Sequence, residues 1–393
     1  MDFTFTEEQT QIRDSLRRFL AATYTLERRR RIAREGSGCD PQIWSQFAEL
    51  GILGLAIPQS LGGIGGNAFD SLVVMEELGR ALVIEPYLAT ALVCAGVLVR
   101  AGSPAQQELL AGVTTGKVRL ALAHEEPESR WRLDAVATRA TRDGASWVLK
   151  GRKAMVADGA GADYLVVSAR TESGISLYLV PGSSERLTRT ALATHDGASV
   201  AEVTLDGVRV SAGALIGTEG GGLPLVEAAS EVAIAGLCAE AVGAMDALLA
   251  LTLSYVKTRR QFGVPIGGFQ ALQHRMADML LHAELARSMS YLASAKLAVR
   301  DAGERRRVIS AAKFLIGRSA RLIGQEAVQM HGGMGVTEEA APAHYFKRLT
   351  LINASFGDMD HHLEVFAAGM ITSFPEALLA RSAANASAPR SSG

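Results

Sequence analysis

The sequence predicts an α+β protein whose parts run helical, β, helical. Two changes of period along the chain predict this. Helix-spaced apolar residues continue to about residue 112, and short apolar runs split by turn dipeptides take over from about Val118. Long helical segments return from residue 224. The expected domains are 1–117, 118–223 and 224–370, followed by a tail at 371–393. A chain of 393 residues, 48% of them apolar, is long enough for two or three domains and can fill a large core.

Residues 6–35 read as one amphipathic helix. Thr6-Glu7-Glu8-Gln9 supplies an N-cap and an acidic first turn, and Ile12, Leu16, Phe19 and Leu20 form the apolar stripe. The Arg28–Arg31 run reads as a solvated terminus that complements the helix dipole. A short helix at 41–50 starts with Pro41. Gly51 to Gly66 is a tight glycine-rich connection, and it lacks the spacing of a phosphate loop. Helices follow at 68–81, 87–101 and 104–112.

The β part rests on the runs Leu120–Ala123, Trp147–Leu149, Tyr164–Ser168, Leu177–Val180 and Val200–Leu205. Asp143-Gly144, Asp158-Gly159, Ser173-Gly174, Pro181-Gly182 and Asp206-Gly207 punctuate them. Residues 224–258 are rich in Ala, Gly and Leu and poor in charge, which predicts a helix buried on nearly all sides. Two more long helices are expected at 268–301 and 304–330, the second ended by Gly332-Gly333 as a C-cap. A shorter helix is expected over 340–369. The tail is low in complexity and is expected to be disordered.

Composition excludes several function classes. Lys plus Arg number 40 and Asp plus Glu 41, for a net charge of -1, which argues against a nucleic-acid or anionic-membrane binder. Cys39, Cys94 and Cys238 form no CxxC pair, so neither a zinc ribbon nor a disulfide scaffold is expected. Free thiols point to a reducing, cytoplasmic compartment. The acidic start MDFTFTEEQ does not resemble a leader. No membrane span is expected, since Val232–Leu253, a leading candidate, carries Glu240 and Asp246. Mean hydropathy of +0.15 then reflects buried helices and subunit interfaces. His361-His362 after Asp358-x-Asp360, and His124 before Glu125-Glu126, lack metal-ligand spacing, so no metal is expected.

Two segments are more specific. Tyr255-Val-Lys-Thr-Arg259-Arg-Gln-Phe262-Gly263-Val-Pro-Ile-Gly-Gly-Phe-Gln270 and Gln329-Met-His-Gly332-Gly333-Met-Gly335-Val336 resemble the C-terminal domain of the acyl-CoA dehydrogenases. Gly54-Leu-Ala-Ile-Pro58 with Leu61-Gly-Gly63, and the α–β–α order, agree. The resemblance covers all but the tail. It points to small subunits of heteromeric members, of the pimeloyl-CoA and steroid side-chain types. It implies an N-terminal helical domain, a middle β-barrel and a C-terminal four-helix bundle. It also implies FAD held between two subunits. In the family a glutamate removes the α-proton of an acyl-CoA, and hydride leaves the β-carbon for flavin, giving a trans-2-enoyl-CoA.

By this resemblance Arg259 reaches the neighbouring subunit's FAD diphosphate, with the fork of donors such a contact needs. Phe262 lies beside the adenine end. Gln270 and Gln329 contact the nucleotide, and Gly332 and Gly333 allow its close approach. His344 stands where the family usually has Lys or Arg; it could keep partial charge there or simply pack.

The other half of the site departs from the family. Phe356 takes the place of the catalytic glutamate, and the alternative position for that base falls on Ala233. Loss of a positioned base costs about 10²–10⁴-fold in rate. Glu231 is two residues from Ala233, about 200° round a helix, and is expected to point elsewhere. The flavin-packing Trp-x-Thr becomes Met155-Val156-Ala157, and the Thr-Glu-Pro-x-x-Gly-Ser-Asp signature becomes His124 to Arg130. The arginine of the CoA-side helix becomes Ile234. Asp358 and Asp360 would repel a diphosphate, each unit-charge pair at 4 Å by about 1 kcal/mol in water and about 4 at a partly buried site.

The expectation is one half of an α2β2 heteromer. A catalytic large subunit would hold the flavin ring, the base and the acyl-CoA, with electron-transferring flavoprotein as acceptor. The acyl chain would be dicarboxylic or steroid-derived. A second reading is a self-sufficient enzyme using Asp358 or Asp360. A third is a non-catalytic binding or scaffold protein on the same fold.

Overall fold

A computed structural model describes residues 4–36 and 38–370; the expected disordered tail lies outside the described residues. The single helix expected over 6–35 is two helices, α1 (Glu7–Thr23) and α2 (Leu26–Glu35). The break follows from local chemistry. Buried Tyr24 leaves the helical conformation, its hydroxyl donates to Glu85 Oε2 at 2.7 Å, and Thr25 caps α2 through Arg28 N. The arginine run is not a solvated terminus either. Arg29 is 2% exposed and donates to the carbonyls of Leu82 and Asp196, while Arg28 pairs with Asp40 at 2.7 Å.

The N-terminal part continues with α3 (Pro41–Glu49) and α4 (Ala68–Arg80). A π-helical stretch, Leu88–Cys94, runs into α5 (Ala95–Ala101), and the short α6 (Pro104–Gln107) and α7 (Leu109–Thr114) follow. Leu16, Leu20, Trp44, Phe47 and Leu72 share its core.

One eight-stranded sheet forms the middle. Its strands are β1 (Leu120–Ala123), β2 (Arg139–Asp143), β3 (Ser146–Ala157), β4 (Tyr164–Thr171), β5 (Gly174–Pro181), β6 (Leu187–Ala193), β7 (Ser199–Ser211) and β8 (Leu215–Ile216). The order is β6-β7-β3-β2-β4-β5-β8, with β1 parallel to β4. Trp147, Leu149, Leu165, Val167, Tyr178, Val180, Val203 and Leu205 enclose one core, so the sheet curls round its own side chains. Val166, between two of them on β4, faces the helices instead. The sequence pattern missed β2 and β6 because their residues are mostly exposed and offer no apolar alternation.

The C-terminal bundle comprises α8 (Gly222–Thr258), α9 (Gln270–Lys296), α10 (Ala302–His331) and α11 (Ala341–Ala354). A hairpin of β9 (Arg260–Gln261) and β10 (Val264–Pro265) joins α8 to α9. Helix α8 is long and apolar enough to cross a membrane, but 78% of its apolar window is buried inside the protein. It can be that buried because glycines let α4 approach. A Cβ on Gly79 would lie 2.0 Å from Glu240 O, and one on Gly243 would lie 1.8 Å from Glu76 O.

The helix expected over 340–369 is interrupted. Phe356 (φ 55) and Gly357 (φ 102) turn left-handed, and Asp358 then caps a further helical stretch, 359–370, through His361 N at 2.9 Å. Lys313, fully buried on α10, fixes the turn. Its Nζ donates to Ile352 O, Asn353 O and Gly357 O at 2.6, 2.9 and 3.0 Å. Burial lowers its pKa to about 8.

Candidate active site and cofactor edge

A cavity of about 710 Å³ opens where the three parts meet. Leu78, Glu85 and Leu88 line it from the N-terminal part, Leu122 and Met155 from the sheet, and Ile234 and Phe356 from the bundle. The wall from 124 to 138 carries no regular element. A buried network holds it instead. Lys153 Nζ, on β3, donates to Glu126 Oε1 (2.7 Å), Ser168 Oγ (3.0 Å) and His124 O (3.2 Å). Glu126 also accepts from Ala137 N at 2.7 Å and Thr138 N at 3.0 Å. Burial lowers the Lys153 pKa to about 8, and the carboxyl of Glu126 is lowered by the lysine and these donors in spite of its own burial.

His124 faces the cavity with Nδ1 2.9 Å from Ser168 Oγ. Burial, then the nearby Lys153 charge, lowers its pKa to about 4, so the ring is neutral at physiological pH. His362 is likewise buried and lowered to about 4; it sits 2.9 Å from Phe356 O. Asp158 contacts Arg119 at 3.3 Å, yet its Oδ2 has no partner and burial dominates, raising its pKa to about 7. Burial also raises Glu85 to about 7, despite its bond from Tyr24. The carboxyl of Glu125 is raised by burial and makes no hydrogen bond among the described residues.

Glu231 corrects a sequence expectation. It does not point away but lines the cavity, buried, in an ion pair with Arg305. Two residues along α8 set it about 200° round the helix from Ala233, which is fully buried in apolar packing with Val226 and Leu177. Phe356 packs at the junction of the bundle core and the core behind the sheet. Asp358 is occupied as a helix cap, and Asp360 is exposed outside the cavity lining. His344 is buried against Arg29 and Glu338 O, and its pKa is lowered, chiefly by burial; it packs as a neutral ring rather than standing in for a cation.

The second set of residues gathers at the far end of the bundle. Arg259 closes α8, Phe262 and Gly263 form the turn of the β9–β10 hairpin with φ of 53° and 81°, and Gln270 opens α9. Gln329 is in the last turn of α10, which ends on Gly332 at φ 59°. Tyr255 stacks on His331 at 4.4 Å between centroids and so ties the α8 and α10 ends together. Arg259, Gln270, Gln329, Gly332 and Gly333 are all exposed, and Phe262 is 90% exposed. The Arg259 side chain has no partner among the described residues, and a Cβ on either Gly332 or Gly333 would meet only open space.

Comparison with known proteins follows this geometry. Three family models match: the acyl-CoA dehydrogenase N-terminal domain over 6–117, the middle domain over 121–208 and the C-terminal domain over 220–371. The chain belongs to the acyl-CoA dehydrogenase family. Acyl-CoA dehydrogenase FadE27 of Mycobacterium tuberculosis is 29% identical over 353 residues, 88% of this chain and 92% of that one. The ChsE4-ChsE5 complex from Mycobacterium tuberculosis has a chain at TM-score 0.87 and 27% identity, covering 94% of this chain and 99% of its own. A variant of the Tcur3481-Tcur3483 steroid ACAD superposes at TM-score 0.86 with 28% identity, covering the same 94% and 99%.

The family's reaction is an oxidoreduction on acyl-CoA, and its cofactor is FAD. The two halves of this chain differ in how they fit that group. The bundle end offers a free guanidinium, exposed amides and an open glycine turn, which suit a nucleotide and its diphosphate. The cavity does not suit them. Each arginine on its wall is already paired: Arg132 with Asp134, Arg306 with Glu227, and Arg348 with Glu240 and Asp196. No lysine lines it.

Proposed function

We propose that this chain is the non-catalytic small subunit of a heteromeric acyl-CoA dehydrogenase. One observation carries the reading: the bundle end presents exposed groups that suit a nucleotide, while the cavity is lined by Phe356, where the resemblance puts the base, and each arginine among its described lining residues is paired. Arg259, Phe262, Gln270, Gln329, Gly332 and Gly333 then serve FAD bound mainly by a catalytic large subunit, in an α2β2 assembly. FAD held there would supply the hydride acceptor. Arg259 would hold the diphosphate with charge-assisted hydrogen bonds, Phe262 would cover the adenine end, and the two glutamines would orient the nucleotide. The large subunit holds the acyl-CoA and the base, and electron-transferring flavoprotein takes the electrons. A dicarboxylic or steroid-derived acyl chain fits the kinds of relative found. Cys39, Cys94 and Cys238 are buried and form no disulfide among the described residues, which supports a reducing, cytoplasmic location. Working domains of 1–117, 118–223 and 224–370 go with this reading.

The self-sufficient alternative loses its support from Asp358, because that carboxylate is spent on capping the 359–370 helix. A flavin-free scaffold leaves the free Arg259 group without a role. The test is flavin per polypeptide. Expressed alone, the chain is expected to carry essentially none; with its large subunit, one per pair of chains. One flavin per chain in an active homo-oligomer would refute the proposal.

A further inference from the structure

We propose that Tyr255 is a positioning residue for the nucleotide edge at the bundle end. By stacking on His331 it holds the end of α10 in register with the end of α8, and so makes one binding surface of two segments far apart in the chain. This role rests on the reading that the edge serves FAD. The edge needs such a brace. Arg259 and Phe262 stand at the end of α8 and on the hairpin after it, whereas Gln329, Gly332 and Gly333 stand at the end of α10. A nucleotide that spans both binds best when their separation is fixed beforehand, because otherwise binding itself must order them.

Three observations point to Tyr255. The first is its place. The bundle core includes Val256 on α8 and Met330 on α10, both buried. Past them the chain presents exposed groups, Lys257 and Thr258 on α8 and Gly332 after α10. Tyr255 and His331 meet at this rim, with ring centroids 4.4 Å apart and planes at 27°. Second, the His331 ring is fixed to its own helix. Its Nδ1 lies 2.8 Å from Ala327 O, one turn back; a carbonyl only accepts, so Nδ1 carries the proton. His331 is 7% exposed, and a ring so held moves only with α10. Third, the Tyr255 hydroxyl makes a long contact, 3.4 Å, with His331 O. That carbonyl belongs to the peptide leading into Gly332, which takes φ 59° and ψ −142°, a conformation open to glycine and strained for other residues. The tyrosine thus touches both the ring of residue 331 and the peptide at which the chain leaves α10. The neighbouring tie is weaker. Arg275 and Glu326 join α9 to α10 at 3.0 Å, but their side chains are 46% and 31% exposed, and such pairs contribute little.

The test titrates FAD into the deflavinated heteromer carrying Tyr255→Leu, Tyr255→Phe or Arg259→Gln in this subunit. An aromatic stack is worth up to about tenfold in an equilibrium constant, so Tyr255→Leu should weaken FAD by about three- to tenfold. Tyr255→Phe keeps the ring and should restore most of that affinity. A positioning role also predicts that Tyr255→Leu costs less in the Arg259→Gln background than alone, because the register then serves fewer contacts. A second measurement needs no FAD: with carbon-13-labelled histidine in the purified chain, the ring-current shift of His331 should vanish in Tyr255→Leu and persist in Tyr255→Phe. The role of Tyr255 is overturned by a loss under about threefold in Tyr255→Leu, by an equal loss in Tyr255→Phe, or by an equal cost in both backgrounds. An unmoved His331 signal, or a melting temperature several degrees lower in Tyr255→Leu, would overturn it too. If Arg259→Gln weakens FAD and Tyr255→Leu does not, only this role fails; if neither does, the bundle end is not an FAD edge and the proposed function fails with it.

Discussion

Arg259→Gln isolates the part of the site that this chain is proposed to lend. The side chain is exposed and has no partner among the described residues, so its loss should leave folding within the small range of ordinary surface substitutions. In the assembled enzyme it would hold a diphosphate. A hydrogen bond to a charged group is worth enough that losing one weakens binding about 10- to 150-fold, and a guanidinium can make two in parallel. Glutamine keeps length and some hydrogen bonding but no charge, so the expectation is the lower part of that range. The assay is fluorescence titration of FAD into the deflavinated heteromer, alongside thermal melts of the subunit. The reasoning fails if FAD affinity changes less than threefold, or if the subunit melts several degrees lower. A Phe262→Ala control, 90% exposed in the isolated chain, should behave alike but more weakly.

Gly243→Ala puts a Cβ 1.8 Å from Glu76 O, so α4 and α8 must separate; a loss of about 1–3 kcal/mol in urea unfolding is expected, and wild-type stability would show that the helices slide freely. Lys313→Met strips three carbonyls of their donor, and the gain from no longer burying an ammonium only partly offsets this. About 1–3 kcal/mol should be lost, with faster amide exchange over 355–358; unchanged exchange there would contradict a pinning role. Asp158 and Glu85 are raised from ordinary carboxyl values to about 7. The folded state therefore binds more protons than the unfolded state between about pH 4 and 7, and stability falls as pH rises through that window. Asp158→Asn should flatten the fall by roughly 2–4 kcal/mol between pH 4 and 8, and a pH–stability curve parallel to wild type would count against the burial argument.

Much of the fold was legible because period and punctuation are local. The Ala- and Gly-rich stretch became α8, and Gly332 ended α10 as its C-cap, at a positive φ that glycine adopts readily. The bundle-end residues were legible because they are contiguous in two short segments. What failed depended on distant partners. The break at Tyr24 needs Glu85, 61 residues away; the burial of Arg29 needs the carbonyls of Leu82 and Asp196; and the turn at Phe356 needs Lys313. The position of Glu231 was misjudged because a helical wheel gives an angle but not what lies beside each face.

The sequence by itself determined the order of helical and β parts, the family, the two short segments proposed to serve a nucleotide at the bundle end, and the absence of a carboxyl at residues 356 and 233. These are properties of residue identity and short-range spacing. Only the tertiary structure decided that a cavity opens where the three parts meet, that the arginines on its wall are paired, that Asp358 is a cap, and that Arg259 is exposed at the bundle end. Charge pairing, desolvation and backbone strain depend on which groups are brought within a few ångströms, and no pattern along the chain encodes those distances.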